Sequence, residues 1–212
     1  MKHQLENITW REVSWQRPYK LEAVWETLSL LAATTPRGAV LWEVRGANGR
    51  VTHLLGANAV YITKIEEVFR AHGDVQFREI APDLRQPVTL ARTLKISHPM
   101  LSLNINIASA VIRAGLAALA ADKTGREMVL QLVLGRGYAP SPTPAELPDP
   151  SASWLNMIFG TVSKATAEAR RTVREKAEQH SFQAVIRIGV SGEGGSSHLH
   201  SLLSALRVLG SL

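Results

Sequence analysis

Ile8 to Trp15 is a β-rich run that Pro18 closes. Leu21, Val24, Trp25, Leu28 and Leu31 then recur at the spacing of one helix face, and Pro36 and Gly38 end that helix. Val40, Trp42 and Val44 alternate with Leu41, Glu43 and Arg45, the period of a half-buried strand. Ala47-Asn48-Gly49 predicts a hairpin turn, because Asn-Gly tolerates the positive φ such turns need, and Arg50 to Leu55 returns as the paired strand. Tyr61, Ile65, Val68 and Phe69 mark a second helix with Gly73 at its C-terminal cap position, followed by a strand from Val75 to Ile80. The order β-α-β-β-α-β is the split motif of ferredoxin-like folds, and right-handed crossovers place both helices on one sheet face.

Beyond Pro82 and Pro87 the pattern begins again. Val88 to Ser97 reads as a strand, and Ile105, Ala108, Val111, Ile112, Leu116 and Leu119 as a helix reaching Asp122. Met128 to Leu134 is a strand apolar enough to be central. Pro140, Pro142, Pro144, Pro148 and Pro150 make an extended spacer, and a helix is expected from about Trp154 to Gln179, with Trp154, Ile158 and Val162 on one side. Phe182 to Val190 is the next strand, and Leu199, Leu202, Leu203, Leu206 and Leu209 the last helix. The expected fold is therefore α+β, with two tandem ferredoxin-like units over residues 1–86 and 87–212. The second unit carries an insertion at about 138–181 and lacks its last strand, which either a partner or the continuation of a longer protein would supply; the continuation is favoured.

Composition excludes several classes. The 212 residues are 45% hydrophobic and 20% charged, within the range of globular proteins rather than disordered or fibrous ones. With no Cys, disulfides, thiolate nucleophiles and Cys-ligated metals are excluded. The longest apolar stretch, Ile105 to Ala121, is interrupted by Arg113 and is too short to span a bilayer, and Met1 to Glu6 has no apolar core of a leader. The net charge of +6 is uneven: residues 1–86 carry 11 basic and 10 acidic side chains, and residues 87–212 carry 13 and 8. Part of the excess lies in Arg170, Arg171, Arg174 and Lys176, the candidate nucleic-acid contacts, interspersed with Glu168, Glu175 and Glu178 in the pattern of a solvated helix face.

No motif carries an enzyme. In Gly189-Val-Ser-Gly-Glu-Gly-Gly195-Ser196, Gly195 stands where a phosphate loop requires Lys, so the stretch reads as a flexible turn before a helix capped by Ser196 or Ser197. Ser191 resembles a nucleophile elbow, but Glu193 replaces its second Gly. The seven His residues are scattered without a metal-ligand spacing, and Glu66-Glu67 is expected on exposed helix surface. The strand Gly49 to Leu55 lacks the aromatic rings of an RNA-reading sheet, and Trp42 and Phe77 read as core or inter-unit packing. No catalytic, cofactor or metal residue is assigned.

Taken together, several features resemble the region ahead of the motor in actinobacterial conjugative DNA-transfer ATPases, the TraG-like and FtsK-like coupling proteins of type IV secretion. They are Leu21–Leu31 with Trp25, Pro36, the strand Val40–Val44, Gly49-Arg50-Val51, the helix and strand to Ile80, Leu130–Gly135 before the prolines, and Phe182–Val190 before the leucine helix. The resemblance implies a non-catalytic assembly or adaptor region, cytoplasmic at the inner face of the membrane through the full-length protein. It would contact the motor in the same chain, other secretion components or further copies of itself. A nucleic-acid-binding module using the basic second half is the alternative.

Overall fold

The computed structural model describes residues 8–15, 21–34, 38–80, 84–94, 107–142, 164, 166–192 and 196–207. In chain order these form β1 (Ile8–Trp15), α1 (Leu21–Thr34), β2 (Val40–Ala47), β3 (Arg50–Asn58), α2 (Ile62–His72), β4 (Val75–Glu79), β5 (Leu90–Leu94), α3 (Ala108–Ala120), β6 (Met128–Tyr138), α4 (Ala167–Ala177), β7 (Ser181–Val190) and α5 (Ser196–Arg207). Among the described residues the architecture is α+β: five helices and one seven-stranded antiparallel sheet of order β4-β1-β3-β2-β6-β7-β5.

Local chemistry sets the first elements. At the β2–β3 turn, Asn48 (φ 51°) and Gly49 (φ 77°) both take the left-handed backbone that a tight two-residue hairpin requires. The same tip reaches across the fold. The Asn48 N–H donates to the Asp122 carbonyl (2.8 Å) and the Gly49 N–H to the Ala120 carbonyl (3.0 Å), so a first-half hairpin satisfies carbonyls that the end of α3 leaves open. Gly73 does stand at the C-terminal cap of α2, but its backbone is extended (φ −167°) rather than left-handed.

The two halves meet at β2 and β6, which pair from Val40↔Leu134 to Gly46↔Met128 and make the sheet continuous. On the face that carries the helices, apolar side chains gather in two clusters. Val13, Leu31, Val40, Leu55, Ile65 and Phe69 form one around α1 and α2. Val44, Leu119, Met128, Ile188, Leu199 and Leu202 form the other around α3 and α5, and Trp42 packs against both. Trp42 stacks on Trp15 (4.8 Å between centroids) and Phe69 meets Phe77 edge-on; both Trp42 and Phe77 are partly buried and pack against the core, and Trp42 bridges the two clusters.

Several expectations change. Of the α1 stripe, Leu31 is buried, whereas Trp25 is 59% exposed and Leu28 lies at the surface; Ile112 on α3 is likewise exposed. The strand expected over Val88–Ser97 is limited to Leu90–Leu94 among the described residues, and β6 runs on to Tyr138 through an irregularity between Leu134 and Gly137. Of the helix expected from about Trp154 to Gln179, the described residues form a helix over Ala167–Ala177, and Lys164 makes an isolated strand-type bridge; Trp154, Ile158, Val162 and Pro144 to Pro150 lie outside the described residues. Glu66 is buried rather than solvated: it accepts from Arg11 (2.9 Å) and from Arg70 (3.0 Å), and that pairing makes burial of the carboxylate tolerable.

Candidate functional site

The side of the sheet away from α1, α2, α3 and α5 carries a buried charge cluster at its middle. Strand alternation places Val40, Trp42, Val44 and Gly46 of β2 towards the helices, and hence Leu41, Glu43 and Arg45 on the opposite side. β2 is an inner strand, so these residues are buried too: Glu43 is 1% and Arg45 2% exposed. The half-buried strand expected from the sequence is thus covered on both faces. Glu43 accepts from Arg45 Nε (2.5 Å), Arg85 Nε (3.1 Å), Arg85 Nη2 (3.3 Å) and Gln131 Nε2 (2.7 Å). Arg45 Nη1 donates onward to the Gln86 carbonyl (2.9 Å) and to the Glu127 carboxylate.

Burial alone would raise the Glu43 pKa, but the charges and hydrogen bonds of Arg45 and Arg85 outweigh it and hold the carboxyl below its ordinary value. For Glu127 the balance reverses. Burial raises it and dominates, since Arg45 is shared with Glu43 and the Glu43 charge adds repulsion.

The connection between the halves closes this cluster. Arg85 lies over the Trp10 ring (4.2 Å to the centroid) while its guanidinium forks onto Glu43. Farther along, Val88 occupies the space a Gly189 side chain would need, and Thr89 N–H donates to the Val190 carbonyl (2.9 Å). Residues 85–89 therefore strap β1 and β2 of the first half to β7 of the second.

A second polar cluster supports the glycine-containing turn before α5. Asp122, fully buried, accepts from Thr124 N–H (2.6 Å), Thr124 Oγ1 (2.5 Å) and Arg126 Nε (3.0 Å), and His198 Nε2 lies 3.6 Å from it. Its carboxyl is held below the ordinary range, first by the Thr124 hydroxyl and, against the opposing effect of burial, by the Thr124 N–H and Arg126. Ser191 Oγ accepts the Glu127 N–H (2.8 Å) and faces the Glu127 carbonyl at 3.4 Å, so the serine pins the turn to the start of β6. Gly192 (φ 79°) packs on Arg126. Gly194 and Gly195 lie outside the described residues.

Depressed acidity in the fold means that Asp122 contributes stability above its unfolded-state pKa, and that this is lost as pH falls through its folded value. Asp122→Asn is therefore expected to lower stability by about 1–3 kcal/mol at neutral pH, and to shrink the difference from the parent as the pH falls below 4. Urea midpoints measured from pH 7 to pH 3 check this; parallel curves would remove the ionic role of Asp122.

The four basic residues singled out in the sequence lie on α4 but do not share one face. Arg170 is half-buried on the same stripe as the buried Val173, with its Nε enclosed and unbonded. Arg171 is exposed and pairs with Glu175 (2.7 Å), and Arg174 is exposed nearby. Lys176 is set well around the helix from all three, at 100° per residue. Among the described residues, no group of His, Asp and Glu is placed to hold a metal ion, and no helix is long and apolar enough to cross a membrane.

The sheet margins differ. On one side β1 is flanked by β4, paired from Trp15↔Val75 to Arg11↔Glu79. On the other, β5 pairs with β7 from Leu90↔Val190 to Leu94↔Ile186, and among the described residues no strand lies against its outer edge. Its inward side chains, Leu90 and Leu94, reach the α3–α5 cluster, and alternation puts Arg92 on that same helix side. No local pattern singles out Arg92, whose environment depends on pairing far along the chain. No family model, curated protein or solved structure matches the chain.

Proposed function

We propose that the chain is a non-catalytic assembly module of two tandem ferredoxin-like units, the second lacking its last strand. It acts as the pre-motor adaptor of a conjugative DNA-transfer ATPase, working through protein–protein contacts. The observation that carries this reading is the outer edge of β5, open among the described residues. The pairing β5–β7–β6 repeats β1–β3–β2, and α3 and α5 take the places of α1 and α2, yet nothing described takes the place of β4. An exposed edge offers a row of backbone donors and acceptors, a ready template for a strand supplied from elsewhere. The polar clusters support the same reading, since Glu43 and Arg45 are held by each other, Arg85, Gln131, Glu127 and the Gln86 carbonyl, and Asp122 by Thr124 and Arg126.

The test is binding of the purified chain to the ATPase motor and to the other secretion components of the same conjugative system, one by one. Association with at least one is expected, and Thr93→Pro, which disrupts the β5 edge, should abolish it. Absence of binding to all of them overturns the adaptor reading.

A further inference from the structure

We infer that the outer edge of β5 takes an extended segment of a partner protein that carries a carboxylate, and that Arg92 is the residue selecting it. The inference rests on reading the second half as a repeat of the first, because the first half shows what the slot holds when filled.

Arg11 and Arg92 occupy corresponding positions. Each has a residue of a helix-side core two positions further along its strand (Val13 and Leu94), lies opposite a buried core residue (Leu55 and Ile188) and donates from Nη1 to the preceding carbonyl, at 3.2 Å to Trp10 and 3.1 Å to Ala91. What surrounds them differs. Arg11 Nε is bonded to Glu66 of α2 at 2.9 Å, and its Nη2 lies 3.8 Å from Glu79 of β4. On α5 the position corresponding to Glu66, just after the first buried core residue shared by the two helices (Ile65 and Leu199), holds His200 and supplies no carboxylate. Among the described residues no acidic side chain pairs with Arg92, which is exposed. Among the described residues, the second half thus has the cation, Leu94 beside it in the place of Val13, and an open strand edge, but neither acid that the first half brings to it.

A matching occupant follows from the filled slot. Antiparallel to β1, Val75, Phe77 and Glu79 of β4 lie opposite Trp15, Val13 and Arg11. The segment for β5 accordingly has an apolar residue opposite Leu94, as Phe77 lies opposite Val13, followed two residues later by Glu or Asp opposite Arg92. A second copy offering its own β5 would set Arg92 against Arg92, which disfavours that pairing.

The probe is a capped fluorescent peptide of residues 74–80, Asp-Val-Gln-Phe-Arg-Glu-Ile, the sequence that fills the equivalent slot in the first half. Titrated against the full chain, it is expected to bind. Changing its Glu to Gln, or changing the protein by Arg92→Glu, should weaken binding roughly two- to fivefold. A Glu→Arg peptide on the Arg92→Glu protein should recover most of that loss. Binding indifferent to the charge at residue 92, or no binding to the folded chain, overturns the inference. So does concentration-dependent self-association abolished by Arg92→Glu, which would make a second copy the occupant.

Hydrogen exchange separates this from the parent reading. If the β5 amides pointing away from β7 exchange slowly in the free chain, the edge is already filled and the reading of an open second unit falls. If they exchange fast while the acidic peptide does not bind, only the selection of an acidic segment falls.

Discussion

Glu43→Ala is expected to destabilise the fold by about 3–5 kcal/mol, the usual cost of removing one partner from a buried ion pair. The size follows from what is left behind. Arg45, 2% exposed, would keep only Glu127 and the Gln86 carbonyl, while Arg85 and Gln131 would lose their acceptor. Glu127→Gln removes the other carboxylate on Arg45, and a simple count of ion pairs makes the two substitutions equal. Their acidities say otherwise. With the Glu43 pKa depressed in the fold, its contribution is present above its unfolded-state value and lost as pH falls through the folded one. With the Glu127 pKa raised, the fold favours its protonated form, so its contribution declines as pH rises through the folded value. Glu127→Gln should therefore change stability by less than about 1 kcal/mol at pH 7. Urea unfolding of the two variants at pH 7 decides it, and equal losses would show that the cluster does not discriminate between its acids.

Gly46→Ala is the second large effect, and its control is the same substitution elsewhere. A methyl group on Gly46 would sit 2.4 Å from the backbone oxygen of Leu119, at the crossing of β2 and α3. Backbone on both sides leaves no side chain to swing away, so a loss of about 3 kcal/mol is expected, at the upper end of overpacking costs. Gly137 stands in the same relation to α1, its would-be methyl 2.7 Å from the Ala32 oxygen. Gly115, inside α3, has open space where its methyl would go, and there Ala should stabilise by about 0.5–1 kcal/mol through helix propensity. Thermal unfolding of Gly46→Ala and Gly115→Ala side by side should show shifts of opposite sign. A shift of the same sign in both would mean that α3 does not lie against β2 as described.

The local elements were legible because their signals are local. Asn48-Gly49 specifies its turn through backbone preference, and the alternation of Val40, Trp42 and Val44 marks one apolar face wherever the strand ends up. What the sequence hides is which strands become neighbours. Glu43 and Arg45 carry the same alternation whether β2 is an edge facing water or an inner strand under a strap, and only the pairing with β6 decides between them. Glu66 reads as surface for the same reason: its burial depends on Arg11, on another element. Arg85 lies in a connection with no periodicity, so its seat on Trp10 had no signal at all. The basic residues of α4 were visible by composition, yet charge does not reveal that Arg170 turns inward beside Val173.

The seam between β2 and β6 also has a consequence for biosynthesis. Residues 40–46 emerge from the ribosome long before residues 128–134, which pair with them on that side. Throughout that interval a nascent first half bears a bare, apolar strand margin. On a crowded polysome, the nearest complementary strand belongs to a neighbouring nascent chain. Slow elongation through the stretch between them should therefore lower the yield of native protein, and a chaperone that shields nascent strands should raise it.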